Sequence, residues 1–288
     1  MRADPRFLEQ PKTFWANVRT ISQEAGYTTS GSVKVPSLAE MVGAMAKASV
    51  RARHLVAEDG TETPLAAQLA AYFEHRASAL NNVVEPNLMD AERACGIFEQ
   101  MRERLAPSCP IPYNKQKGEK AHPAYLTGIV NMLVEANSGG FPVEYDPRKL
   151  TTVTYSDAPL RTFSRRLDGA FPSTVNPIAI WEIKEYYDTT TFGSRIADGV
   201  YETLLDGMEL QELAEHEGVH VEHLLVVDAH YTWWQCGRSY LCRLMDMLHM
   251  GYVDEVLFGY EVIDRLPELV REWVEAHRQR IGAGPTPG

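Results

Sequence analysis

Long apolar runs are missing from this chain. Nowhere do the roughly 20 uninterrupted apolar residues that a membrane-spanning helix requires occur together. The opening segment, MRADPRFLEQPKTFWANVR, lacks the apolar stretch of a secretory signal, and no lipidation motif is visible. Cysteine is scarce: Cys95, Cys109, Cys236 and Cys242 form no CxxC pair and are too few to staple 288 residues. Reduced, buried thiols and a cytoplasmic location are the expectation. Gly-rich phosphate loops are absent, since neither GxxxxGKS, GxxxxGKT nor GxGxxG occurs, which argues against an NTPase or a dinucleotide enzyme. A GxSxG elbow for serine hydrolysis is missing too.

Positive charge is also in short supply. Lys and Arg number 28 against 39 Asp and Glu, a net charge of −11, which excludes a protein that coats nucleic acid. The deficit is uneven. Residues 1–110 hold 12 basic and 13 acidic side chains, whereas residues 111–288 hold 16 and 26. Hydrophobic residues make up 44% and charged residues 23% of the chain, so a folded α/β or helical protein is possible and a disordered or fibrous one is not.

The two charge regimes coincide with two structural patterns. Up to residue 110 the apolar residues recur at helical spacing, as in Phe14, Val18 and Ile21, or Leu38, Met41, Val42 and Met45. Ser37 and Glu40 form a capping box ahead of the second of these. Further helical patterns cover PLAAQLAAYFEHRA and DAERACGIFEQMRERL. The proline-rich LAPSCPIPYNKQKGEK marks a boundary, giving a helical domain over 1–110 and a second domain over 111–288. Beyond it the pattern predicts a helix over 122–137, strands over 150–156, 160–171 and 176–187, and a helix over 194–215. A strand over 221–229, a helix over 238–250, a strand over 255–262 and a final helix over 266–280 complete the order. Three consecutive strands imply an antiparallel meander and the later alternation implies crossovers. The expected fold class is α/β, a mixed central β-sheet flanked by helices, with an N-terminal helical domain.

The chemistry concentrates in Ile178-Ala179-Ile180-Trp181-Glu182-Ile183-Lys184. Side chains alternate along a strand, so Glu182 and Lys184 share one face and Trp181 and Ile183 the other. A surface pair on an edge strand is worth about 0–1 kcal/mol. The apolar approach to Glu182 instead reads as a buried strand, where each ion costs several kcal/mol to desolvate. Asp168 closes the preceding predicted strand, with 13 residues between it and Glu182. Two carboxylates at adjacent strand ends suit Mg²⁺, and a neighbouring lysine suits charge developing on a phosphate.

Asp168 followed, after a gap, by Glu182-Ile183-Lys184 resembles the signature of the PD-(D/E)xK nuclease superfamily, the fold of many restriction endonucleases. The resemblance covers about residues 120–230 and departs at Leu167, where the superfamily commonly has proline. It implies a Mg²⁺-dependent endonuclease acting on DNA phosphodiesters, with Mn²⁺ as a substitute. Asp168 and Glu182 would be catalytic metal ligands, the backbone carbonyl of Ile183 a further ligand, and Lys184 the residue that positions water. An extra acid from the first core helix is common in the superfamily; Glu135 is the helical candidate and Glu119 its rival. A restriction or antiviral defence role, with a homodimer or a subunit of a defence complex, follows by analogy of fold alone. The helical domain would then serve recognition, dimerisation or partner docking. The alternative is a catalytically silent nuclease-fold subunit that binds protein or DNA.

Arg165, Arg166, Arg195, Lys115 and Lys117 are the candidate contacts to nucleic acid, each also readable as a solvated side chain. The segment 196–223 carries eight acids and no Lys or Arg. It would repel DNA, so it is expected on the outer face or at a protein contact. His216, His220 and His223 raise a zinc reading that their loose spacing and lack of cysteine partners weaken. Tyr231, Trp233 and Trp234 suit either a packed lid or base stacking.

Overall fold

In the computed structural model, residues 1–116, 119–187 and 193–282 are described. The N-terminal helices are α1 (Lys12–Ala25), α2 (Leu38–Lys47) and α3 (Pro64–Ala79). The capping box is present: Ser37 Oγ accepts from Glu40 N, and Glu40 in return accepts from Ser37 N at 2.8 Å. Phe14, Trp15, Ile21, Tyr72 and Phe73 bury a core of their own between these helices.

The rest is an α/β layer structure, as the alternation of strands and helices implies. Its elements begin with α4 (Ala91–Leu105), α5 (Tyr125–Asn137) and β1 (Glu144–Tyr145). Strands β2 (Thr152–Tyr155), β3 (Ala158–Thr162), β4 (Gly169–Phe171) and β5 (Ala179–Glu185) follow. Then come α6 (Ser194–Glu217), β6 (Glu222–Asp228), α7 (Arg238–His249), β7 (Glu255–Phe258) and α8 (Glu261–Gly282). One mixed sheet has the order β7-β6-β5-β4-β1. β5, β6 and β7 run parallel, and β4 is antiparallel to both β5 and β1.

The meander differs from expectation in its first member. Residues 152–155 pair with 158–162, as a side hairpin turned by Ser156 and Asp157, both at positive φ, and Thr152 adds a single bridge to Val175. The sheet's edge is instead the two-residue strand Glu144–Tyr145. The expected strand over 160–171 is accordingly two strands. Between them Phe163 and Leu167 turn into a small core while Ser164 and Arg165 face α6. At the other end, β7 stops at Phe258 because Gly259 passes against Asn87. A Cβ there would lie 2.0 Å from the Asn87 carbonyl oxygen, and φ is +52°. The last helix therefore begins at Glu261 and carries Pro267 inside it.

Both sheet faces are covered. α4, α5 and α8 bury Trp181, Leu224 and Leu257 on one side, with Trp181 stacked on Trp273 at 5.8 Å. α6 and α7 cover Leu225, Val227 and Val256 on the other. Ile183 lies with Trp181, whereas Glu182 and Lys184 point towards α6, so the strand alternation assigned the faces correctly.

Candidate active site

Backbone register brings the first two acids together. Gly169 pairs with Trp181, so the next step along the antiparallel ladder sets Asp168 beside Glu182. Two backbone amides then tie the carboxyls across the ladder: Asp168 N donates to Glu182 Oε1 at 3.2 Å, and Ile183 N donates to Asp168 Oδ2 at 2.7 Å. Gly169 permits this approach, because a Cβ on it would lie 1.9 Å from the Trp181 ring. Lys184 Nζ donates to Glu182 Oε2 at 2.9 Å. Asp168, Glu182 and Lys184 thus meet in one opening of about 400 Å³, with Thr127 and Glu202 on its wall.

α6 supplies acids that the charge pattern alone assigned to the outer face or to a protein contact. Glu202 Oε2 accepts from Lys184 at 3.1 Å and from Arg165 at 3.4 Å, and Asp206 Oδ2 accepts from Arg165 at 2.6 Å. Further along, Glu209 accepts from Ser164 and Glu212 pairs with Arg161. Half of the eight acids in 196–223 therefore bond to the hairpin and the 163–168 turn, and of these Asp206 is buried. The cue was present: 202 and 206 are four residues apart and share a helix face.

Burial and charge set the protonation. Burial, reinforced by the neighbouring Glu182 charge, pushes the Asp168 carboxyl up to about 7. Burial raises Asp206 to about 7 as well, against the opposing pull of Arg165. Burial also acts to raise Glu182, but Lys184 and Arg165 outweigh it and hold this carboxyl below its ordinary value. For Lys184, burial is overcome by Glu182, which raises the ammonium so that it stays charged.

The remaining candidates divide. Arg165 joins the cluster, ion-paired to Glu182, Glu202 and Asp206. Arg166 is exposed. Lys117 lies outside the described residues, as do the side chains of Lys115, Glu119, Lys120 and Arg195. Glu135 does not reach the site. It sits eight residues beyond Thr127 on α5, roughly 12 Å along a helix axis, and accepts from Ser108 N and Oγ. Helix α5 instead offers its N-terminal end. There Glu185, the residue after Lys184, accepts from Thr127 N at 3.0 Å and Thr127 Oγ1 at 2.9 Å. A carboxylate at that end satisfies orphan N–H groups and the helix dipole.

The histidines do not converge: His223 is buried with Nδ1 2.8 Å from the Tyr252 carbonyl, and His220 faces Asp254 at 3.7 Å. Trp233 and Trp234 are buried as a lid over the core, while Tyr231 is exposed. Among the described residues, no group of three or more His, Cys, Asp or Glu side chains forms a ready metal cage. Arg165 and Lys184 stand between the acids.

A family model described as a domain of unknown function, DUF7687, matches residues 89–273. The chain belongs to the DUF7687 family. A second model, DUF7690, also described as a domain of unknown function, matches residues 1–83. No curated protein and no solved structure matches the chain. The DUF7687 segment contains the whole carboxylate and cation cluster, and it includes α4, whose Phe98 packs in the same core as Trp181. The DUF7690 segment is the α1–α3 core, joined to α7 of DUF7687 by the buried Arg76–Asp246 ion pair at 3.0 Å. No helix among the described residues is long and apolar enough to cross a membrane.

Proposed function

We propose that this chain is a Mg²⁺-dependent endonuclease that hydrolyses DNA phosphodiester bonds, with its active site at Asp168, Glu182 and Lys184. The supporting observation is the juxtaposition of Asp168 and Glu182, with Asp168 N donating to Glu182 and Ile183 N to Asp168, and with Lys184 donating to the same Glu182 carboxylate. In keeping with the resemblance to the PD-(D/E)xK nucleases, the reading extends to a cytoplasmic enzyme of restriction or antiviral defence, acting as a homodimer or within a defence complex.

The donor set fits a hard cation. Mg²⁺ takes oxygen ligands and commonly only one or two carboxylates, the rest being water and phosphate. Asp168 Oδ1 makes no hydrogen bond with the described residues, and the buried Asp206 Oδ1 has no partner either. Asp168 and Glu182 would hold the ion, with the Ile183 carbonyl as a further donor and Mn²⁺ as a substitute. When bound, it supplies Lewis-acid polarisation of the scissile phosphate and acidifies water. The chain's own cations do the rest: Lys184 keeps its protons on Nζ, and with Arg165 it opposes negative charge developing on the phosphate. The surplus of carboxylates would otherwise repel that phosphate.

The deciding measurement is incubation with supercoiled plasmid, with and without Mg²⁺. Cleavage should require the metal and vanish in Asp168→Ala, Glu182→Ala and Lys184→Ala whose circular dichroism remains native. Equal cleavage in wild type and variants overturns the assignment. One observation favours the competing reading of a silent binding subunit: Lys184 and Arg165 are already saturated by Glu182, Glu202 and Asp206. Absence of cleavage on plasmid, single-stranded DNA and RNA would select it.

A further inference from the structure

A cavity of mixed polar and apolar lining lies away from the carboxylate cluster, where the DUF7690 helices meet the DUF7687 domain. It measures about 550 Å³ and is walled by α1, α6 and α7. That volume is in the range of small-molecule sites. Two guanidiniums reach it, from Arg19 on α1 and Arg243 on α7.

Neither is neutralised by the protein. Arg19 contacts the Met250 sulfur at 3.4 Å, and Arg243 contacts the Tyr201 hydroxyl at 3.4 Å and bonds to Tyr27. Among the described residues, neither forms an ion pair with a carboxylate. The arginines of the carboxylate cluster and of the Glu255 cluster differ in this, since Arg165 and Arg265 both pair with acids. Asp246 also borders the cavity, but its carboxylate is taken by Arg76 at 3.0 Å and by the Tyr72 hydroxyl at 2.6 Å. Glu24 is the other acid of the wall.

The remaining lining is aromatic and apolar. Arg243 lies over the Tyr27 ring at 5.6 Å. Tyr201 is 55% exposed, and Val200, Leu204 and Met247 also line the cavity. Unpaired guanidiniums bind phosphate in a bidentate fork, and tyrosine faces with methionine accept a flat ring. We propose that this cleft binds a small phosphorylated molecule with a flat ring, a free nucleoside phosphate, with Arg19 and Arg243 on the phosphate and Tyr27 and Tyr201 against the ring. The assignment is independent of the nuclease reading: α6 presents Tyr201 and Leu204 to this cleft and Glu202 and Asp206 to the carboxylate cluster.

The test is isothermal titration of the full chain with adenosine and guanosine mono- and diphosphates, adenosine, inorganic phosphate and a short single-stranded DNA, in metal-free buffer. At least one nucleoside phosphate should bind saturably, and more tightly than adenosine or inorganic phosphate. Arg19→Ala and Arg243→Ala should each weaken that binding by about tenfold or more. Tyr201→Ala, at an exposed position, should weaken it without altering the fold and carries the test if Arg243→Ala unfolds. No saturation by any nucleoside phosphate at millimolar concentration overturns the proposal. So does unchanged affinity in the folded variants. Tighter binding of the DNA, lost in the same arginine variants, overturns it in favour of a nucleic-acid contact.

Discussion

Lys184 Nζ lies 2.9 Å from Glu182 Oε2, two residues back on the same strand, and both side chains are buried. Glu182 is 1% exposed and takes Arg165 on the same oxygen, whereas Glu202, which also meets Lys184, is 45% exposed. Removing one partner of a buried pair strands a charge and costs about 3–5 kcal/mol, while an exposed pair is worth about 0–1 kcal/mol. Glu182→Ala should therefore lower stability by several kcal/mol and Glu202→Ala by about 1 or less. Urea unfolding of both variants checks this, and equal losses would mean that the pair is not energetically buried.

Gly169 sits under the Trp181 ring, where an added Cβ would come within 1.9 Å. Trp181 is fully buried and stacked on Trp273, so the ring has no room to retreat. Gly169→Ala should destabilise by about 1–3 kcal/mol or more, the usual cost of overpacking a core. It should also displace Asp168, whose amide and carboxylate both bond to β5. A shifted denaturation midpoint, with near-ultraviolet circular dichroism altered in the tryptophan region, is the expected result.

Asp228, at the end of β6, is buried and accepts from the Tyr187 hydroxyl, from Met89 N and from Ala229 N. Burial lifts its carboxyl from 3.8 to about 7. A raised folded-state value means the native protein holds a proton that the unfolded chain has released. The resulting stabilisation is full below about pH 4, declines as pH rises towards 7, and is gone above it. Asp228→Asn removes that dependence, on the order of a few kcal/mol at most. Its stability should fall less steeply than wild type between pH 4 and pH 7 in urea titrations, with Asp168, Asp206, Glu185 and Glu222, all raised by burial, contributing to the residual slope.

Much of this arrangement was legible in the sequence because it follows from short-range periodicity. Phe14, Val18 and Ile21 mark one helix face, and the alternation Trp181, Glu182, Ile183, Lys184 marks the two strand faces before any contact is known. The edge strand Glu144–Tyr145 was not legible, since two residues cannot display alternation. The break inside 160–171 was hidden because Leu160, Phe163, Leu167 and Phe171 are spread along the segment, so no single polar gap marks the turn. Glu135 looked eligible because it is the acid of the right helix. The parallel strand ends meet that helix at its N-terminus, near Thr127, which only the packing decides. The pairing of the α6 acids was hidden for a related reason: Glu202, Asp206 and Glu212 meet Arg161 and Arg165, which come from a distant hairpin and turn.

Arg165 is the link between the two halves of the acid cluster, donating 2.6 Å to Asp206, 3.0 Å to Glu182 and 3.4 Å to Glu202. Taking it away leaves Asp206, already without a partner for Oδ1, and Glu182 facing one another across a poorly solvated gap. A divalent cation held there would offset the same repulsion that Arg165 does. Arg165→Ala should therefore melt several degrees below wild type in EDTA and recover part of that loss in millimolar Mg²⁺, since a ligand that binds only the native state stabilises it by mass action. Arg166→Ala, exposed and outside the cluster, should melt as wild type in both buffers and serves as the control. If the Arg165→Ala deficit is the same with and without Mg²⁺, the cluster does not hold the cation and the acids serve the fold alone.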